Sequence, residues 1–312
     1  MSRAELLSIV VAIFNEEPTI DAFFAEVDAV AARLPLTIEY ICVNDGSRDG
    51  TLTKLLARQE QDKRIRIVDL ARNFGKEAAM TAGLAHARGN AVVVIDADLQ
   101  DPPEQIEQFV AKWREGFEVV YGIRASRKSD SFAKRISAEA FYKLFNRITS
   151  VPIPPDTGDF RLLDRKVVDA LLTFPERNRF MKGLFAWVGF KQTGVPFVRK
   201  PRVQGKTAWN TWKLINFAID GVTGFSTIPL RMWSFVGAFI SLIGFTYSLF
   251  LIIRTLILGI DVPGYASLMV TVLFLGGVQL LCLGMLGEYM GRLYMETKGR
   301  PIYIVSRIYE DK

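Results

Sequence analysis

Short apolar runs alternate with amphipathic stretches along the first 125 residues of the chain. Leu6–Ile13, Ile38–Asn44, Ile65–Leu70, Ala91–Ile95 and Val119–Gly122 have the length and apolar content of strands buried on both faces. Helical patterning fills the intervals at Thr19–Arg33, Thr51–Gln61, Lys76–Arg88 and Pro103–Glu115. This alternation predicts an α/β domain, a mostly parallel sheet with helices on both faces. A further helix is expected near Phe132–Ile148, followed by an irregular Pro-rich turn at Val151–Pro155.

The pattern changes toward the C-terminus. Met232–Ile253 contains 22 residues without a charge, and Leu268–Leu286 contains 19. About 20 apolar residues cross a bilayer core of roughly 30 Å, so two transmembrane helices are expected. Upstream, Trp212, Ile215, Ile219 and Val222 recur at spacings of three and four within Trp209–Thr227. That stripe, with Lys206 before it and Lys213 inside it, predicts an amphipathic helix at the membrane interface; packing against a core is the plainer alternative. The expected division is a catalytic domain over 1–205, a juxtamembrane region over 206–230, two spans over 231–290 and a cytoplasmic tail over 291–312.

Charge sets the expected orientation. The net charge is +6, and ten Lys or Arg lie between Arg177 and Arg231 against one acid, Asp220. The stretch between the spans, Thr255–Ser267, has no basic residue, whereas Arg292, Lys298 and Arg300 follow the second span. The positive-inside bias therefore places both termini in the cytoplasm. The bases suit anionic lipid, and no nucleic-acid partner is expected. Leu6–Phe14 is too short for a signal peptide and lacks a cleavage pattern. Cys42 and Cys282, in a predicted strand and a predicted span, have neither disulfide nor zinc logic. The single histidine, His86, follows no catalytic motif, which argues against a His base.

The candidate chemistry clusters where predicted strands end. Asp96 and Asp98 follow the fourth apolar run, and Pro102-Pro103-Glu104 opens the next helix. Both carboxylates thus emerge at the carboxyl edge of the sheet, where open α/β folds place ligands. Paired hard oxygen donors there suit Mg²⁺ or Mn²⁺ on a diphosphate. Phe14-Asn15-Glu16-Glu17 and Asn44-Asp45-Gly46-Ser47 reach the same edge. Their carboxylates repel phosphate but suit hydrogen bonds to a base or ribose. Asp49 and Thr51 read better as helix caps. Gly75 opens a helix whose N–H groups favour an anion, to which Arg72 or Lys76 adds charge.

Asn15-Glu16-Glu17, Val43-Asn44-Asp45-Gly46-Ser47, Asp96-Ala97-Asp98-Leu99-Gln100-Asp101-Pro102-Pro103 and the two apolar spans, in this order, resemble the polyprenyl-phosphate glycosyltransferases. These are inverting family 2 enzymes of GT-A fold, including dolichol-phosphate mannose synthases and bacterial bactoprenol glucosyltransferases. The resemblance spans nearly the whole chain. It implies a nucleotide-sugar site using Phe14, Glu16, Asp45, Lys76 and Asp96, and a metal held by Asp98 with Gln100. It implies Asp96, Asp98 and Asp159 as catalytic residues, with Asp159 in Thr157-Gly158-Asp159-Phe160-Arg161 beside the transferred sugar. Arg124, Arg135 and Arg202, backed by Lys206, become candidates for the acceptor phosphate. The Arg202-x-x-Gly205-Lys206-Thr207 segment departs from the Gly-x-Ser-Lys form expected there.

The function implied is inverting transfer of one hexose, glucose from UDP-glucose first, to undecaprenyl or another polyprenyl phosphate, with Mg²⁺ or Mn²⁺ as cofactor. GDP-mannose or a UDP-amino-sugar stays open as donor. The implied location is the bacterial inner membrane, multi-pass, with the catalytic domain in the cytoplasm; homo-oligomerisation stays open. A processive polysaccharide synthase would need more spans and a Gln-x-x-Arg-Trp motif, neither of which is present. A non-catalytic membrane scaffold would have no use for Asp96, Asp98 and Asp159. A dinucleotide oxidoreductase would need Gly-x-Gly-x-x-Gly after the first strand, which is absent.

Overall fold

The computed structural model describes residues 5–125, 154, 157–177, 179–200, 228–258 and 264–310. The expected helices at Phe132–Ile148 and Trp209–Thr227 lie outside those residues, as does all of the Val151–Pro155 turn except Pro154.

The N-terminal apolar runs form strands β1 (Leu6–Ile13), β2 (Thr37–Asn44), β3 (Ile65–Leu70), β4 (Ala91–Val94) and β5 (Val119–Arg124). Helices α1 (Ile20–Ala31), α2 (Thr51–Gln61), α3 (Lys76–His86) and α4 (Gln105–Arg114) connect them. Parallel pairing of β4, β1, β2 and β3 follows from these helical crossovers. Every residue of β4 is buried, and Phe23, Phe24 and Val27 of α1 pack into the same core as Tyr40 of β2. β1 pairs with β2 on one side and β4 on the other, so the chain reverses its direction of travel across the sheet there. Ligands of open α/β folds sit at such a switch point, outside the carboxyl ends of the strands.

Four elements of this unit carried no readable period: β6 (Thr157–Asp164), α5 (Arg165–Thr173), α6 (Met181–Trp187) and β7 (Gln192–Phe197). β6 runs antiparallel between β4 and β5, and β7 pairs parallel with β5. The sheet is therefore mixed, with strand order β7-β5-β6-β4-β1-β2-β3 followed by β8 (Val305–Tyr309). β8 pairs antiparallel with β3. Its neighbour Glu310 reaches Arg66 at 2.7 Å and Arg88 at 3.1 Å. β8 thus lies within the segment expected as a tail over 291–312 and belongs to the same unit as the sheet.

The second unit, residues 222–299, contains α7 (Ile228–Leu258) and α8 (Tyr265–Thr297). Within α8, Ser267–Thr297 is long and apolar enough to cross a membrane, and its most apolar stretch is unburied. The apolar stretch described in α7 is shorter, Phe235–Tyr247. By length and hydropathy of the described residues, one span of the two expected is met. Phe235, Phe239 and Phe245 of α7 and Leu268, Phe274 and Leu280 of α8 are exposed. Apolar surface on this scale marks contact with lipid or a partner.

Candidate active site

At the switch point, the segments after β1 and β2 hold each other through hydrogen bonds. The Asn15 N–H donates to Ser47 Oγ at 3.0 Å, and the Arg48 N–H donates to Asn15 Oδ1 at 2.8 Å. The Glu16 N–H donates to Thr51 Oγ1 at 3.0 Å, and the Gly50 N–H to Glu17 Oε2 at 2.9 Å. Asp49 Oδ1 accepts the Thr51 N–H at 3.1 Å and so serves the start of α2, where the Thr51 hydroxyl also meets both Asp49 and the Glu16 N–H. Phe14 remains 42% exposed beside this junction.

Asp45 connects this junction to the next loop. Its Oδ1 accepts the Phe74 N–H at 2.7 Å and its Oδ2 the Gly75 N–H at 3.0 Å. Burial pushes the Asp45 carboxyl up, while these two N–H groups and Arg72 pull it down. The residue expected to meet a nucleoside is therefore also a staple of the turn before α3. Gly46 has φ +64°, and a Cβ there would collide with the Arg72 backbone, so glycine is required for this approach.

Gly75, at φ +98°, turns the chain so that Lys76 begins α3. Lys76 Nζ lies 2.6 Å from Asp96 Oδ1 and 2.6 Å from Asp159 Oδ2. One ammonium thus joins a carboxylate after β4 to a carboxylate on β6. The sequence placed Lys76 as a phosphate cation; the structure places it between two acids. Burial opposes ionisation of Asp159, but Lys76 and Lys182 overcome it and hold the carboxyl well below the usual range. Burial lowers the Lys76 ammonium, and Asp159 and Asp96 more than reverse this, holding its charge.

After Asp96 the chain makes a tight turn. Leu99 adopts φ +54°, uncommon for a residue with a branched side chain, and its side chain is buried. Asp98 Oδ1 accepts the Gln100 N–H at 3.2 Å, which closes the turn that carries both expected metal ligands. Asp101, 2% exposed, lies 3.8 Å from Arg199 Nε. Burial and the charge of Asp96 push its carboxyl up to about 6, against Arg124 and Arg199. The Arg124 guanidinium also borders Gly158, where a Cβ would lie 3.3 Å from Nη2.

The structure thus brings Asp45, Lys76, Asp96 and Asp159 into one connected set, with Asp98 and Gln100 on the adjoining turn. Arg135, Arg202 and Lys206 lie outside the described residues. Glu77, Asp101, Arg161 and Lys182 belong to the same neighbourhood and were not assigned from the sequence. Arg161 lies over the Phe185 ring, 3.8 Å from its centroid, and donates to the Gly158 carbonyl at 2.6 Å. Only the adjacency of Glu77 to Lys76 could have pointed to it; for Lys182 the sequence carries no signal. Among the described residues no three His, Cys, Asp or Glu side chains form a metal cage. The donors present, carboxylates and an amide oxygen, fit a hard cation that shares its coordination with phosphate and water.

The mostly parallel mixed sheet with acidic loops at its carboxyl edge is GT-A-like. The description "Glycosyl transferase family 2" matches residues 8–172, and "GtrB C-terminal hairpin" matches residues 228–293. The chain belongs to glycosyl transferase family 2. It is 56% identical over 303 residues to an uncharacterized glycosyltransferase of Synechocystis, covering 97% of this chain and 95% of that protein. It is 46% identical over 301 residues to the SfII prophage-derived bactoprenol glucosyl transferase of Shigella flexneri, covering 96% and 97%. A looser likeness, at 17% identity and TM-score 0.49, covers 95% of this chain and 87% of the Pyrobaculum calidifontis mannosyltransferase PcManGT.

Proposed function

We propose that the protein transfers one hexose, glucose from UDP-glucose, to undecaprenyl or another polyprenyl phosphate, with inversion, at the cytoplasmic face of the bacterial inner membrane. One observation carries this reading: similarity to a bactoprenol glucosyl transferase runs through 96% of the chain, catalytic sheet and hairpin together. In this reading both α7 and α8 cross the bilayer, and the excess of basic residues ahead of α7 keeps the sheet domain on the cytoplasmic side.

The acceptor's chemistry fits the acids at the site. A phosphate monoester has a second pKa near ~6, so the nucleophile is already anionic and needs little help from a base. Asp159, held ionised by Lys76 and Lys182, is a poor proton acceptor. Its role is to orient the sugar and stabilise positive character at the anomeric carbon. Lys76 fixes the relative position of Asp159 and Asp96, which faces the donor ribose or sugar. Glu16 and Asp45 hydrogen-bond the nucleoside, using lone pairs beyond those engaged with Thr19 and the α3 turn, and exposed Phe14 borders it.

Asp98 and Gln100 would hold Mg²⁺ or Mn²⁺. Such a cation, when bound, offsets the charge that develops on the departing diphosphate. Arg124, with Arg135, Arg202 and Lys206, receives the acceptor phosphate through charge-assisted hydrogen bonds, countering repulsion between two anions. Confining the acceptor to the bilayer and anchoring the enzyme there reduces the entropic cost of encounter.

The test is purified protein in lipid with undecaprenyl phosphate, Mg²⁺ or Mn²⁺, and labelled UDP-glucose, GDP-mannose and UDP-N-acetylamino sugars. Label should enter the lipid phase from UDP-glucose. Label from another donor alone would replace the sugar assignment, and no lipid label from any donor would overturn the reading.

A further inference from the structure

Glu77 has no part in the chemistry described above, yet it follows Lys76 directly in the first turn of α3. Its Oε2 is buried and has no hydrogen-bond partner among the described residues, and the same holds for Asp159 Oδ1. Two carboxyls that act on each other electrostatically therefore each keep one buried oxygen without a donor. A carboxylate supplies acceptors only, whereas a protonated carboxyl also supplies an O–H. A single proton on Glu77 gives this acidic pair the donor it lacks.

We infer that Glu77 is a positioning residue that works in its neutral form, holding Asp159 and Lys76 in place by supplying a proton rather than a charge. The groups around it are consistent with this. Asp159 faces it from β6, Lys76 precedes it on α3, and Lys182 and the Met181 N–H approach from α6. Burial first, then Asp159, push its carboxyl up to about 8, against the pull of the two lysines and Met181. The helix N-terminus favours an anion, but that influence is weaker than burial beside another carboxylate. Ionised Glu77 would add a second negative charge behind Asp159. That charge competes for Lys76 and loosens its grip on Asp96.

This role rests on the proposed transferase reading for its kinetic test, so a second readout is independent of substrate. Glu77→Gln keeps the shape and an N–H donor but cannot ionise; Glu77→Ala removes both. In the wild type, transfer should fall as pH rises through about 8. In Glu77→Gln that alkaline limb should disappear, with less than a threefold loss of kcat at pH 7. Glu77→Ala should lose tenfold or more at pH 7. Thermal unfolding of the purified proteins gives the independent readout. A carboxyl raised in the folded state stabilises most below its unfolded value, near 4.5, and that contribution is lost as pH rises to about 8. The melting temperature of the wild type should therefore drop relative to Glu77→Gln across that window.

Retention of the alkaline limb in Glu77→Gln, or equal activity loss in the Gln and Ala variants, would overturn the inference. A constant difference in melting temperature across the window would also overturn it. If no variant or wild type transfers sugar to lipid, the transferase reading fails, and the melting series still decides the protonation of Glu77.

Discussion

The Asp45 carboxylate accepts the N–H of Gly75 at 3.0 Å, one residue before Lys76. A side chain at the end of β2 thereby sets the start of α3, and with it the ammonium that joins Asp96 to Asp159. Asp45 is 3% exposed, so water is a poor substitute acceptor. Asp45→Ala should leave the Phe74 and Gly75 N–H groups unsatisfied at a cost of about 1–3 kcal/mol, read by urea denaturation. Asp45→Asn keeps one acceptor oxygen and should lose less. Equal stability of the wild type and the Ala variant would show that the turn holds without this staple.

Removing the ammonium should be more damaging to activity than to folding. Lys76→Met leaves Asp96 and Asp159 facing each other without a cation, and transfer should fall on the order of 10² or more, as when a preorganised electrostatic contact is lost. Lys76→Arg should recover part of the rate. The pH dependence of stability should shift as well. Asp159 is held below its ordinary value, so its contribution is present above the unfolded carboxylate pKa and lost as pH falls through the folded one. Without Lys76 the folded value rises, and acid unfolding should begin at higher pH, followed by circular dichroism.

Asp98 tests the cation. Asp98→Ala should abolish transfer, with circular dichroism checking that the fold is retained. Chelator should inactivate the wild type, and added Mg²⁺ or Mn²⁺ should restore it. Undiminished transfer in Asp98→Ala would remove this residue from metal binding.

The C-terminal strand offers a test of stability. Truncation after residue 299 removes β8, uncovers the edge of β3, and takes Glu310 away from Arg66, which is 8% exposed. A bare strand edge invites pairing with other chains. The shortened protein should aggregate on size-exclusion chromatography and unfold at lower temperature. Glu310→Gln, which keeps the strand, should remain monodisperse with a smaller loss.

The parallel half of the sheet was legible because each buried strand is a local run of apolar residues. β1, β3 and α2 have the bounds that the sequence predicts, and the ends of β2, β4 and α1 differ by one or two residues. β6 was not legible, because Gly158, Asp159 and Arg161 interrupt its apolar positions. The charge in it is stabilised by Phe185 and the Gly158 carbonyl, contacts that no period in the sequence announces. β8 was hidden for another reason. It lies more than 230 residues from its partner β3, beyond two long apolar helices.

By itself the sequence determined the alternating strands and helices, the acids at their ends and the apolar C-terminal helices, since each is written in neighbouring residues. The tertiary structure decided which of those acids share a cation, because Lys76, Asp96 and Asp159 come from three separate elements. It also decided that Glu77 feels the charge of Asp159, with a buried oxygen on each that finds no donor among the described residues. Ionisation depends on burial and on the nearest charges, and both are properties of the folded arrangement rather than of the order of residues.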